Sequence, residues 1–501
     1  MNRKFIINLL ILLFLNLLIK PFWILGIDRG VQNSVGAEEY GFYFSLFNFT
    51  FLFNILLDMG ITNFNNRNIA QNHHLLNKYF SSIIILKLLL AVVYSIITLT
   101  AGLIIGYNNQ QMIMLAVLCL NQFLISFILY LRSNISGLHF FKTDSVISVL
   151  DRIIMIIICG ILLWGNITRQ SFKIEWFILA QTGSYVVTAI IAIAIVIQKS
   201  KFTKLKWNYP FFILIIKQSF PFAILVLLMA FYNRIDSVMI ERILPGQLGE
   251  QQSGIYAASY RLLDASNMIA YLFSVILLPM FARMIKFNED IEKLARLAFT
   301  MIFIVSVTAA FGSFFYRNEI MHMLYPQHIS ETISEYSIRI GETSWIFGIL
   351  MFGFIPISTT YIFGTLLTAN GNLKYLNLMA GCGMALNLGL NFLLIPALQA
   401  VGSSYASLTT QTVTALLQVL LAVKVFKFKF NPAYLVRLFI FVVAVIIISF
   451  LTHMISTENY MDWKISLLIM ATTALFIAGA TRLLNIKSFI QIFLRKNING
   501  A

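Results

Sequence analysis

Residues 80–106 read FSSIIILKLLLAVVYSIITLTAGLIIG, a run broken by a single charge, Lys87. A helix rises ~1.5 Å per residue, so ~20 such residues cross the ~30 Å hydrocarbon core of a bilayer. Apolar runs of this length read as membrane spans. Working outward, the same pattern recurs at 5–27, 40–63, 112–131, 146–164, 174–198, 211–241, 254–281, 297–316, 343–368, 375–395, 401–423, 435–455 and 464–481. The spans number fourteen and predict an all-α polytopic membrane protein. Arg3 and Lys4 precede the first run as in a signal peptide. No small-residue cleavage pattern follows, and apolar character resumes after Lys20-Pro21, so the run reads as a retained first helix.

Composition agrees. Of 501 residues 11% are charged and 59% hydrophobic, with a mean hydropathy of +0.84. A soluble domain carries ~25% charged residues. Disorder, fibrous repeats and an ordinary soluble enzyme are excluded. Cys119, Cys159 and Cys382 sit in apolar runs without C-x-x-C spacing and read as small buried hydrophobes. The histidines form no H-E-x-x-H pattern and no phosphate-binding G-x-x-x-x-G-K-[ST] occurs, so neither metal nor cofactor is expected.

The net charge of +16 points to one side of a bilayer rather than to nucleic acid. With the N-terminus in the cytoplasm, inside segments hold 22 Lys and Arg and outside segments 7. The bias favours both termini inside. Arg169 and Lys173 run against it. The longest outer connection, 317–342, is too short for an extramembrane domain.

The chain also repeats itself. Lys20 precedes Gly41-Phe42-Tyr43 by 21 residues, and Arg234 precedes Gly254-Ile255-Tyr256 by 20. Ser136-Gly137 before Lys142 matches Asn370-Gly371 before Lys374. Both pairs are six spans apart, so the halves share orientation, as in transporters built from parallel repeats. The expected organisation is a six-helix lobe at 1–206, a second at 207–430, and an accessory helix pair with a cytoplasmic tail at 431–501.

The stretch Val35-Gly36-Ala37-Glu38-Glu39-Tyr40-Gly41-Phe42-Tyr43, continuing through Leu57-Asp58-Met59-Gly60-Ile61 to Arg67-Asn68-Ile69-Ala70, resembles the polysaccharide-biosynthesis flippases, the Wzx-type O-antigen translocases. Their second span has a similar G-x-x-x-Y-G entry, D-x-G exit and R-x-x-A. Asn387 to Pro396, then Gly402 and the small residues Ser403 to Thr410, is similar to the family's eleventh-to-twelfth helix turn, although Ser403, Ser404 and Tyr405 stand where Gly and Ala are common. The resemblance implies the fold of the multidrug/oligosaccharidyl-lipid/polysaccharide exporters. It also implies a substrate, a polyprenyl-diphosphate-linked glycan, with membrane lipids around it and a polymerase and chain-length machinery downstream. The compartment implied is a bacterial inner membrane.

A diphosphate cannot enter hydrocarbon uncompensated. A flippase needs a wet, cationic cavity, hence rare cations inside spans. Lys20, Arg234 and Arg261 meet that need on helical spacing, all in the outer half of the membrane. Asn48 takes the repeat position of Arg261 and is expected to line the cavity. Asp236 and Asp264, two and three residues after the cations, are either neutralising partners or, with Asp58, sites for a coupling ion. Asp58 and Asp151 also read as helix-end carboxylates, and Lys87 and Arg152 as snorkelling cations. Pro221, Pro279 and Pro356 read as kinks. Gly102 and Gly106 read as a close packing contact. Two other functions compete: a multidrug antiporter of the same superfamily, which would favour acidic cavity residues, and a membrane polymerase or glycosyltransferase. The latter lacks a convincing acid–base constellation in 317–342.

Overall fold

The computed structural model describes residues 15–483 except 17, 20, 63–64, 67–68, 70–74, 139, 166–171, 201–206, 330, 430 and 459. Among the described residues every regular element is helical, and eleven helices are long and apolar enough to cross a membrane. A π-helical turn, Trp23–Asp28, runs into α1, Arg29–Leu52. Then come α2, Leu75–Ile105; α3, Asn109–Gly137; α4, Phe141–Trp164; α5, Ile174–Lys199; α6, Tyr209–Ile243; and α7, Gln247–Lys286. The rest is α8, Ile291–Phe315; α9, Arg317–Leu324; α10, Ile333–Phe352; α11, Phe354–Ala369; α12, Leu373–Phe426; α13, Pro432–Thr457; and α14, Trp463–Ala480.

Large apolar side chains face outward on these helices. Val92, Val93 and Ile96 on α2 and Phe439, Ile440 and Ile447 on α13 are exposed. In water that surface would be an aggregation hazard; in a bilayer it is solvated by lipid.

By backbone contacts the chain forms two compact units, residues 2–254 and 255–501. The expected boundary at 206/207 is a statement about sequence symmetry, and this division by contacts is a separate one. In the first unit α1 packs along α6, α3 along α5, and α4 along α5. In the second α12 packs on α10 and α11, and α8 carries α13 and α14. A core of Ile304, Val307, Leu438, Phe441, Val445, Ala474 and Ala478 fixes that terminal pair to α8.

Three expectations about spans need correction. The connection 28–39 left between the first two spans is helical, interrupted where Gly36 (φ 86°, ψ 171°) breaks α1. The second span does not run to 63. It stops at Leu52, and Asn54–Leu57 forms a 3-10 turn, followed by positive φ at Met59 and Gly60. Residues 375–395 and 401–423 form the two arms of α12, as expected, and the chain turns between them at Gln399 (φ 51°, ψ −135°), just after Pro396. The 317–342 connection is mostly helical, as α9 and the start of α10, and α10 meets α11 at Gly353. Cys119 and Cys159 are buried as expected, but Cys382 is exposed. On α2, a Cβ at Gly102 would press on Leu115 and Tyr107, whereas Gly106 (φ 87°) closes the helix and has nothing beside it.

Candidate functional site

The first unit carries a polar seam where α1 meets α6. Asn48 Nδ2 donates to Ser237 Oγ at 2.8 Å, and both residues are buried. The Asn48 carbonyl oxygen is buried there without a hydrogen-bond partner. One turn along, the Arg234 guanidinium lies over the Phe51 ring, 5.3 Å from its centroid. Phe51 leads a row of rings on α1, with Phe47 at 5.4 Å and Tyr43 5.8 Å beyond Phe47. Phe53 meets Phe231 on α6. Arg234 is half-buried, a planar cation held on an aromatic face. Asp236 is fully buried two residues on, on another face of α6. The structure thus places Asn48 and Arg234 on one seam. Asn48 is an inter-helix residue here, not an exposed lining group.

Below the seam lies the break in the second span. Lys87 Nζ donates to Asp58 Oδ1 at 2.5 Å, to the Leu57 carbonyl at 2.9 Å and to Ser126 Oγ at 2.9 Å. Lys87 is 1% exposed. It does not snorkel, because the broken helix presents a carbonyl and a carboxylate within its reach. Asp58 also accepts from the Thr62 backbone and hydroxyl, so it caps the segment that restarts there. Asn54 Nδ2 donates to Gln122 Oε1 at 2.7 Å, and Tyr94 OH to the Thr50 carbonyl at 2.9 Å, satisfying more of the broken stretch.

Arg152 does not snorkel either. Midway along α4, its guanidinium lies 5.4 Å from the Trp23 centroid and 5.9 Å from that of Tyr185, with Asp151 at 3.6 Å. Rings and a carboxylate inside the unit hold it better than a long reach to headgroups. Trp23 in turn stacks on Phe177, 5.8 Å away.

Arg261 and Asp264 belong to the second unit, one turn apart on α7 and both half-buried. Lys20 lies outside the described residues. In the same unit Asn391 donates to the Asn387 carbonyl at 3.0 Å and accepts from Ser403 Oγ at 2.7 Å, pinning the two arms of α12. Gly402 is needed there, since a Cβ would overlap the Leu394 carbonyl. Among the described residues no group of three His, Cys, Asp or Glu is arranged to hold a metal ion.

The repeated glycines touch. A Cβ on Gly41 would overlap the Glu250 carbonyl, and one on Gly254 the Ala37 carbonyl. Glu250 precedes Gly254 by four residues, as Ala37 precedes Gly41. The contact is therefore reciprocal, as a local twofold requires. Gln32 Nε2 adds a hydrogen bond to the Gly254 carbonyl at 2.9 Å.

Sequence reasoning missed the roles of Lys87, Arg152 and Phe51. Lys87 had a signal, being the one charge in residues 80–106. Arg152 had one too, as a cation within the apolar run 146–164. Phe51 had none among so many phenylalanines.

No curated protein sequence matches the chain. Solved structures do match its fold. A lipid II flippase, MurJ, in an inward closed conformation, superposes with a TM-score of 0.68 at 14% identity, covering 97% of this chain and 100% of that one. A multidrug-resistance MATE transporter of the MOP superfamily in an inward-facing conformation gives 0.62 at 15% identity, covering 81% and 94%. A MOP-superfamily transporter from Pyrococcus furiosus gives 0.57 at 14% identity, covering 84% and 94%. The fold is thus one that flippases and drug transporters share. The family described as polysaccharide biosynthesis protein matches residues 30–285, half of the chain, and the chain belongs to that family.

Proposed function

We propose that this protein flips a polyprenyl-diphosphate-linked oligosaccharide from the cytoplasmic to the outer leaflet of a bacterial inner membrane, by alternating access, for O-antigen or capsule assembly. The observation that carries the reading is Arg234, a half-buried cation at membrane depth on the α1–α6 seam, in a chain of a polysaccharide-biosynthesis family. A cation at that depth suits an anionic head group. Lys20 and Arg261 complete the proposed cationic site. Asn48 joins it in a conformation that parts α1 from α6. The lobes proposed are 1–206 and 207–430, with 431–501 accessory, and the reciprocal Gly41–Gly254 contact supports the repeat behind them. Both termini are proposed to be cytoplasmic, and a polymerase with its chain-length machinery takes the product. Asp236 and Asp264 are the proposed carboxylates for any coupling ion. Asp58 was grouped with them on sequence, but Lys87 already holds it.

The test is a deletion strain. Unpolymerised lipid-linked glycan trapped on the cytoplasmic leaflet, with loss of surface polysaccharide and recovery on re-expression, supports the reading. Normal surface glycan with increased drug sensitivity points to the multidrug antiporter instead.

A further inference from the structure

The Lys87 ammonium sits in a site made of oxygen. Its three partners are a main-chain carbonyl, a carboxylate and a hydroxyl: Leu57, Asp58 and Ser126, at 2.9, 2.5 and 2.9 Å. Ser126 Oγ also donates to the Leu57 carbonyl at 3.1 Å, which ties α3 to the same point. Lys87 stands eight residues, ~12 Å, into Tyr79–Ile105, the part of α2 long and apolar enough to cross a membrane. The carbonyl is available because the second span unwinds at residues 53–60, with positive φ at Met59 and Gly60. Unwound carbonyls beside a carboxylate are the donor set with which membrane proteins hold small monovalent cations. Here the chain supplies the cation itself, on a side chain buried to 99% and long enough to reach from the neighbouring helix.

We propose that Lys87 is a tethered cation filling a monovalent-cation site at the helix break, and that the ammonium makes this part of the protein independent of Na⁺ and K⁺. The site would accept a small external cation once the tether is removed. Asp58 then has a fixed counter-ion and is not a coupling carboxylate. The inference does not depend on the transported substrate.

Purified full-length protein in detergent tests it by thermal unfolding in N-methylglucamine chloride, with Na⁺, K⁺ or methylammonium replacing it at constant ionic strength. Wild type should melt at the same temperature in all four. Lys87→Ala should melt lower in N-methylglucamine and regain stability saturably with a small cation. Lys87→Ala/Asp58→Asn, with neither charge, should lose that response. A Lys87→Ala protein indifferent to the cation overturns the proposal. A double variant responding as the single one does also overturns it, because the ion then acts elsewhere. If Lys87→Ala cannot be purified, Asp58→Asn decides: it leaves the ammonium facing neutral oxygen and should melt below both wild type and the double variant. Equal melting of Asp58→Asn and wild type would remove the site.

Discussion

Arg234 is the residue on which the functional reading turns, and its geometry makes a sharp prediction. The guanidinium is planar, lies over Phe51 and has the fork shape that suits a bidentate contact with phosphate oxygens. Arg234→Ala should lower glycan translocation by roughly tenfold or more at normal protein levels, each decade being ~1.4 kcal/mol. Arg234→Lys should recover only part, because an ammonium neither stacks as well nor binds two oxygens at once. Leaflet-resolved glycan accumulation measures both; full transport by Arg234→Ala would remove this residue from the site. A second residue-scale prediction concerns Glu331, in the connection between α9 and α10. It accepts from Arg339 at 2.5 and 2.9 Å and from the His328 backbone at 3.0 Å. Burial alone would push its carboxyl up; these hydrogen bonds outweigh it and hold the group below the ordinary carboxylate range. A carboxylate so depressed stabilises the fold above its ordinary value, ~4.3, and that contribution is lost as pH falls through the lower folded value. Glu331→Gln should therefore cost about 1 kcal/mol at neutral pH, with the gap to wild type closing in acid. Thermal unfolding across pH reads this directly, and a gap unchanged by pH would refute it.

At the scale of elements, most of the helices were legible because apolar runs longer than a bilayer is thick leave few alternatives. Pro396 likewise marked the fold-back inside α12. The break after Leu52 was not legible, since Phe53, Ile55, Leu56 and Leu57 continue the apolar run through it. Hydropathy measures transfer into lipid and is blind to a main-chain turn whose carbonyl is satisfied from another helix. The burial of Lys87 and Arg152 escaped for the same reason: a sequence displays a charge, but most of its partners, such as Leu57 and Ser126 for Lys87 or Trp23 and Tyr185 for Arg152, are thirty residues or more away along the chain. The glycine contact was half legible. The repeat Gly41-Phe42-Tyr43 and Gly254-Ile255-Tyr256 is visible in the sequence, but that the two glycines meet is not. Small residues let transmembrane helices approach to main-chain contact. Gly41→Ala and Gly254→Ala each force that contact apart, at about 1–3 kcal/mol as for other overpacked interfaces. Because each glycine faces the other's helix, the double variant should cost less than the sum. A thermal-unfolding cycle tests this; strict additivity would mean that the two helices do not share one contact.

For the whole molecule the proposed function raises the question of what would drive a charged head group outward. A diphosphate moving out of an inside-negative cell travels down the membrane potential, gaining ~2.3 kcal/mol per charge per 100 mV. If the carrier returns empty and exchanges no ion, that potential alone sets a direction. Lys87 beside Asp58 fits such a carrier, because it leaves one fewer carboxylate open to a coupling ion. Asp236 and Asp264 are the carboxylates proposed above for a coupling ion. In proteoliposomes loaded with lipid-linked glycan, an imposed potential should speed translocation in the direction that moves negative charge to the positive side, and collapsing it should slow transport. Substituting both carboxylates, Asp236→Asn and Asp264→Asn, should leave that response intact if transport is uncoupled. If the variants abolish it, or if wild-type transport follows a Na⁺ or proton gradient and ignores the potential, the protein is an exchanger. Transport is then driven by the ion rather than by the field acting on the substrate.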